Sequence, residues 1–272
     1  MRVIVSVLAV ALLWIAPTSV GAAGFLPELE PQLQNALDRG ALLYLYDEAA
    51  WHGSDELTEH HKDLVAAAHG YVVSGTQDDT QLVFYDETKT RAIFRAAYHN
   101  ERLASSGPPS AERAALTDLE RQLIAARDKA IAAFVAADVK TCAKARPNIS
   151  LLPPDRPGGP IIAYLMTPRT SMQSLPLGGH YSVEIRSDGS TGPVRHFTNA
   201  CAELALVEKG KRPEALLMTH LLDPVPTEIH VFSSMTGHIP IYVSTTSNGL
   251  LWAVHGSDIH YIESRPPTAT AK

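Results

Sequence analysis

Cysteine is almost missing from this chain: there are two in 272 residues, beside three tryptophans and an aromatic content of 7%. Two thiols are too few for a structural zinc site, which needs about four Cys or His ligands. They also lack the CxxC spacing that lowers a thiol pKa. No GxSxG frame, Walker A loop, GxGxxG or HExxH helix occurs, so no nucleophile elbow, phosphate cradle, dinucleotide fingerprint or zinc-protease helix is signalled. Basic charge is scarce as well, with 23 Lys and Arg against 29 Asp and Glu and a net charge of -6. That balance argues against a nucleic-acid binder, which presents a basic surface to phosphates. Internal repeats, low-complexity stretches and long charge runs are absent. Beyond the first segment no apolar run reaches the roughly 20 residues that a membrane-spanning helix takes.

The first segment, MRVIVSVLAVALLWIAPTSVGAAG, places Arg2 before an apolar run from Val3 to Ala16, followed by the small residues Gly21 to Ala23. This is the layout of a secretory signal. Residues 1–23 are therefore expected to be a cleaved leader, with an uncleaved anchor as the alternative, and the mature protein is expected in the periplasm or outside the cell, without a membrane span. Export fixes the redox expectation. Cys142 and Cys201 would meet an oxidising compartment and form a disulfide. Without the leader, 22 basic and 29 acidic side chains remain, a balance of -7 that becomes +5 if all twelve histidines are protonated. That swing motivates a test of pH dependence, since free histidines titrate near about 6.5.

Along the mature chain, Leu33, Leu37, Ala41 and Leu45 recur four apart and predict a helix from Leu26 to Ala50. Gly53 is expected to break it, and Ser54 to cap a second helix running to about Ala68. YVVSG, QLVFYD and RAIFRAAY read as a small antiparallel meander. A long helix is predicted from Ala111 to Asp138, with Ser110 as its cap and Leu116, Leu119, Leu123, Ala130 and Phe134 as its core stripe. After Cys142 the composition turns to strand formers. IIAYLM, HYSVEI, VRHFT, EIHVFSS, IPIYVST, LLWAVH and IHYIE are predicted strands, with a hairpin turn at Asp188-Gly189. Helices and strands do not alternate as a parallel sheet requires. The fold class is therefore α+β: N-terminal helices and a small antiparallel meander, a long helix, then a β-rich antiparallel C-terminal half. The expected organisation is a helical and meander subdomain at 24–140, a β-rich subdomain at 141–263 joined to it as one compact unit, and a flexible tail at 264–272.

Chemistry-bearing residues are scattered. His60, His61 and His69 invite a metal reading, but no two are four apart on a helix, and they are read as surface or half-buried groups. His180, His196, His230, His238, His255 and His260 lie in the β-rich half, where a sheet can gather distant residues, and are read as surface or strand-end groups. Ser233 and Ser234 follow His230, and Asp223 precedes it, which is the composition of a triad without its frame. The DGSTG run at 188–192 reads as hairpin chemistry. Trp51 and Trp252 read as core or seam residues. No metal ligand and no cofactor site is assigned.

Three segments, YDEAAWHGSDEL from Tyr46, LPLGGHYSVEIRSDGS from Leu175 and PTEIHVFSSMTGHIPIYV from Pro226, resemble a family of exported proteobacterial proteins without known activity. The resemblance implies a bacterial, exported origin and carries over no catalytic residue. The expected function is a non-enzymatic binding or accessory protein of the bacterial envelope, its partner an envelope component or another protein of unidentified chemistry. The alternative is an envelope-directed hydrolase with a site assembled from histidines of the C-terminal half.

Overall fold

The computed structural model describes residues 26–207 and 210–262; the expected leader at 1–23 and tail at 264–272 lie outside the described residues. The N-terminal half supplies α1 (Leu26–His60), α2 (Lys62–Val65), a meander of β1 (Gly70–Gly75), β2 (Thr80–Tyr85), β3 (Ala92–His99) and β4 (Arg102–Gly107), and then α3 (Asp118–Ala136). The β-rich half runs through β5 (Asn148–Leu152), β6 (Ile161–Met166), β7 (Ser174–Pro176), β8 (Tyr181–Ile185), β9 (Arg195–His196), β10 (Glu203–Ala205) and β11 (Leu216–His220). Helix α4 (Glu228–Gly237) interrupts it before β12 (Ile241–Thr245), β13 (Leu250–His255) and β14 (Asp258–Ile262). The class is α+β, as the element order predicts.

Alternation along the strands assigns the layers. Val72, Leu151 and Ile161 pack with Leu123, Ile124 and Phe134 of α3, while their neighbours Val73, Leu152 and Ile162 pack with Leu43, Tyr46 and Ala49 of α1. Side chains one residue apart on a strand face opposite ways, so the sheet β1-β2-β3-β4 and the sheet β5-β6-β8-β9 share α1 on one face and α3 on the other. Both cores draw on residues from either side of residue 140. A third core joins the first turns of α1, through Leu29 and Leu33, to the sheet β11-β12-β13-β14, with Val231 of α4 between them.

Several elements differ from the sequence expectation, each for a packing reason. Helix α1 runs through Gly53, which lies so close to Leu82 and Tyr98 that a side chain there would collide with them. Ser54 is not a cap, because its hydroxyl donates back to the Ala50 carbonyl at 2.6 Å. Helix α3 begins at Asp118, later than predicted, because Thr117 and not Ser110 closes its first turn. Its hydroxyl accepts from the Glu120 amide and the Glu120 carboxylate accepts from the Thr117 amide, a capping box. Glu120 is also paired with Arg95 at 2.6 Å, tying the helix start to β3. Leu119 stands 37% exposed and Trp51 46% exposed, the latter stacked on His52; neither joins a core. Thr117→Ala should remove about 1 kcal/mol and lower the melting temperature by about 3 °C, readable by calorimetry; an unchanged transition would show that the Arg95 pair alone fixes this end.

The largest departure is EIHVFSS, predicted as a strand and folded as α4. Its eight buried positions surround the helix, which packs against α1 and the third sheet. Burial on every side, with the polar Glu228, His230 and Ser234 hydrogen-bonded inside the protein, overrides the strand preference of Ile, Val and Phe. The consequence is topological: β11 and β12 run parallel, joined by α4, while the other paired strands are antiparallel. Gly40 of α1 permits this, because a Cβ there would collide with Val231 and the Glu228 carbonyl of α4.

Candidate functional site

The first turn of α4 carries an unusual cap. Thr227 precedes the helix, and its amide donates to Nδ1 of His230 at 2.8 Å, so a histidine does the work a glutamate does in the ordinary capping box. Nδ1 must therefore be unprotonated. Burial pushes the His230 pKa down to about 3, the neighbouring His220 pushes the same way, and Asp223 opposes them.

His220, at the end of β11, meets the His230 ring edge to face at 4.7 Å and donates from Nε2 to Asp223 Oδ2 at 2.9 Å. Asp223 Oδ1 accepts from Arg195 Nη2 at 2.9 Å. The same guanidinium donates to Glu228 Oε1 at 3.4 Å and lies over the Phe197 ring at 4.5 Å. Glu228 Oε1 also accepts from the Tyr164 hydroxyl at 2.9 Å. Tyr164, Glu228, Arg195, Asp223, His220 and His230 thus form one chain of contacts. Burial opposes ionisation of Asp223, yet the His220 hydrogen bond and the Arg195 charge hold its carboxyl below the usual range. Burial, and after it the Glu228 charge, raises the Tyr164 pKa well above its ordinary value. Sheet register builds part of this array, since Tyr164, Ser182 and Arg195 occupy one row across β6, β8 and β9.

A third buried histidine stands near. His180 accepts the Thr167 amide at Nδ1, 3.2 Å away, and donates from Nε2 to the Pro176 carbonyl at 3.2 Å; burial lowers its pKa to about 4. It is placed by the Gly178-Gly179 bend, whose carbonyls both accept from the Thr167 hydroxyl. Gly179 has φ +73°, a conformation that favours glycine, and a side chain there would strike Cys142. Cys142 and Cys201 are bonded, with Cα atoms 5.3 Å apart. The disulfide thus lies directly over the bend that sets His180.

The remaining sequence candidates do not converge. Asp223 bonds His220 and not His230, and Ser233 Oγ is buried without a hydrogen-bond partner among the described residues. Ser234 donates to the Ile239 carbonyl and accepts from the Gly256 amide, tying α4 to the β13–β14 turn. The Ser233, His230 and Asp223 combination is thus not assembled as a triad. His60 lies exposed beside Glu56, and His61 packs edge-on against Phe94. His196, His238, His255 and His260 are exposed. Among the described residues no three His, Cys, Asp or Glu are placed to hold a metal ion. The sequence reading missed His220, Arg195, Glu228 and Tyr164; the one local signal was Thr227 three residues before His230, a capping-box spacing.

Above this array opens a cleft of about 620 Å³, within the roughly 300–1,000 Å³ of small-molecule sites. Its floor is Leu42, Leu152 and Ile162. Tyr164 lies two residues beyond Ile162 on the same strand and face, so the floor leads into the buried array. One wall is α1, one is the 153–160 loop and one is the β8–β9 hairpin. The loop is held by the Gly159 amide donating to the Arg156 carbonyl at 2.9 Å. Pro157 occupies the second position of that turn and Gly158, at φ +76°, the third, the residues a type II turn demands. The DGSTG segment forms the hairpin turn, with the Ser190 amide donating to Asp188 Oδ1.

No family model, curated protein or solved structure matches this chain, so its chemistry rests on the geometry above.

Proposed function

We propose that the chain is an exported, non-enzymatic binding protein of the bacterial envelope and that its ligand occupies the cleft between α1, the 153–160 loop and the β8–β9 hairpin. The observation that carries this reading is the contrast between the two polar regions. The groups suited to acid–base or nucleophilic work are buried and turned upon one another, whereas the cleft above them is open, firmly walled and charged. A concave site with an apolar floor and a few convergent polar groups is the usual form of a small-molecule site. The disulfide and the secretory layout of residues 1–23 support export, because such a bond persists in oxidising compartments.

The test is photo-crosslinking in a host that exports the protein, with the reactive residue placed at Arg156 or Ser187 on the cleft rim, or at Val135, 74% exposed on α3. Adducts confined to the two rim positions are expected. Equal labelling at Val135, or none anywhere, would count against the cleft. Turnover of envelope material by the purified protein, abolished in His220→Asn, would replace this reading with the hydrolase.

A further inference from the structure

We infer that the cleft takes a short zwitterionic peptide, its carboxylate held by Arg39 and its ammonium by Glu184. This inference rests on the cleft being the binding site and adds the chemistry of the ligand. Each of the three walls presents one acid and one arginine: Asp38 and Arg39 on α1, Asp155 and Arg156 on the loop, Glu184 and Arg186 on the hairpin. Most of these charges already have company. Asp38 accepts from Gln34 at 2.7 Å, Asp155 and Arg156 form an exposed pair at 3.9 Å, and Arg186 donates into its own hairpin at Ser190 and Thr191.

Arg39 and Glu184 differ. Neither side chain makes a hydrogen bond or ion pair among the described residues, although Arg39 is half-buried. Arg39 lines the cleft one helical turn before the floor residue Leu42 on α1. Glu184, exposed on the hairpin wall, sits opposite the floor residue Ile162 in the register of β6 and β8. A guanidinium is built to take a carboxylate through two parallel hydrogen bonds, and a free carboxylate is the matching site for an ammonium.

The balance of charge selects among ligands. A polyanion would meet a carboxylate on every wall and a polycation an arginine on every wall, and like charges brought together carry a penalty. An acyl chain would strip water from six charged groups without replacing it. A peptide supplies both signs at its ends and an apolar middle for Leu42, Leu152 and Ile162. The proline-rich wall adds rigidity, since Pro153, Pro154 and Pro160 line it and their φ angles are fixed.

The experiment is isothermal titration of the mature, disulfide-bonded protein with the tetrapeptide Ala-Leu-Ala-Ala in four forms: free at both ends, acetylated, amidated, and blocked at both ends. The free peptide should bind, and blocking either end should weaken it by about tenfold or more, the size of one lost charge-assisted hydrogen bond. In Arg39→Gln the penalty for amidation should vanish while that for acetylation remains; Glu184→Gln should show the reverse. Both variants should keep the parent melting temperature within about 2 °C, since neither side chain has a protein partner to lose. Equal binding of all four forms, or of none, with rim crosslinks still present, would overturn the ligand class and leave the cleft reading standing. Loss of the rim crosslinks as well would overturn both.

Discussion

Replacing Cys142 and Cys201 with alanine is expected to lower the unfolding free energy by about 4 kcal/mol, the chain-entropy value for closing a loop of this length. The bridged residues are 59 apart in sequence, joining the segment after α3 to the one between β9 and β10. A urea titration should show a lower midpoint in the double variant, with a slope that rises if the unlinked unfolded chain expands. Oxidised and reduced wild-type protein should differ by the same amount, because Cys201 is exposed and open to reductant. Coincident unfolding curves would mean that the link constrains nothing the rest of the fold does not already hold. The effect has a location as well as a size. The sulfurs sit on Gly179, next to His180, so loosening of the bridge should first be felt at the buried histidines. It also couples stability to compartment, since retention in a reducing cytoplasm would forfeit this contribution.

Acidification from pH 7 to pH 5 should cost the folded state about 3 kcal/mol. Burial depresses the folded pKa values of His230 and His180 to about 3 and about 4, and each ring already accepts a backbone amide at Nδ1. For a base with a depressed folded pKa, the unfolded chain takes up the proton first. The stability contribution is therefore intact above the unfolded value of about 6.5 and is lost as the pH falls toward the folded one. By pH 5 each histidine has cost about 2 kcal/mol on this relation. Asp47 works the other way. Burial, aided by the charge of Glu48 and only partly offset by Asn148, raises its pKa to about 6, so protonation on the same descent returns about 1 kcal/mol. Urea midpoints at the two pH values test the sum, and His230→Asn isolates one part. Asparagine keeps an acceptor for the Thr227 amide but cannot titrate, so the variant should lose about 2 kcal/mol less than wild type over that interval, whatever its starting stability. A flat wild-type profile, or an unchanged slope in the variant, would show that these rings take up protons without unfolding. The pH dependence first suggested by the number of histidines thus comes down to two buried rings and one opposing carboxylate.

The cleft explains why function was less legible than fold. Its six charged residues occur as adjacent or near-adjacent pairs, Asp38-Arg39, Asp155-Arg156 and Glu184 with Arg186, and each pair read alone looks like ordinary solvated surface. Their meaning arises only where a helix converges with a loop and a hairpin that follow it by more than a hundred residues in sequence. The same holds below the floor, where Tyr164, Arg195, His220 and Glu228 come from four different elements.

What the sequence determined by itself was local and periodic. The β-branched, aromatic and apolar runs YVVSG, QLVFYD, IIAYLM and LLWAVH marked strands, and the Asp188-Gly189 turn fixed a hairpin. The count of two cysteines left a single possible intramolecular disulfide. Tertiary structure alone decided the rest. EIHVFSS became a helix because its surroundings bury it on every side, Gly53 became a contact and not a break because Leu82 lies against it, and His230 became a cap because Thr227 needed an acceptor. Local preference is worth tenths of a kcal/mol per residue, about 0.7 at most for an ordinary residue in a helix, whereas burying one large apolar side chain is worth about 1.5–3 kcal/mol. Where the two disagree, the packing sets the structure.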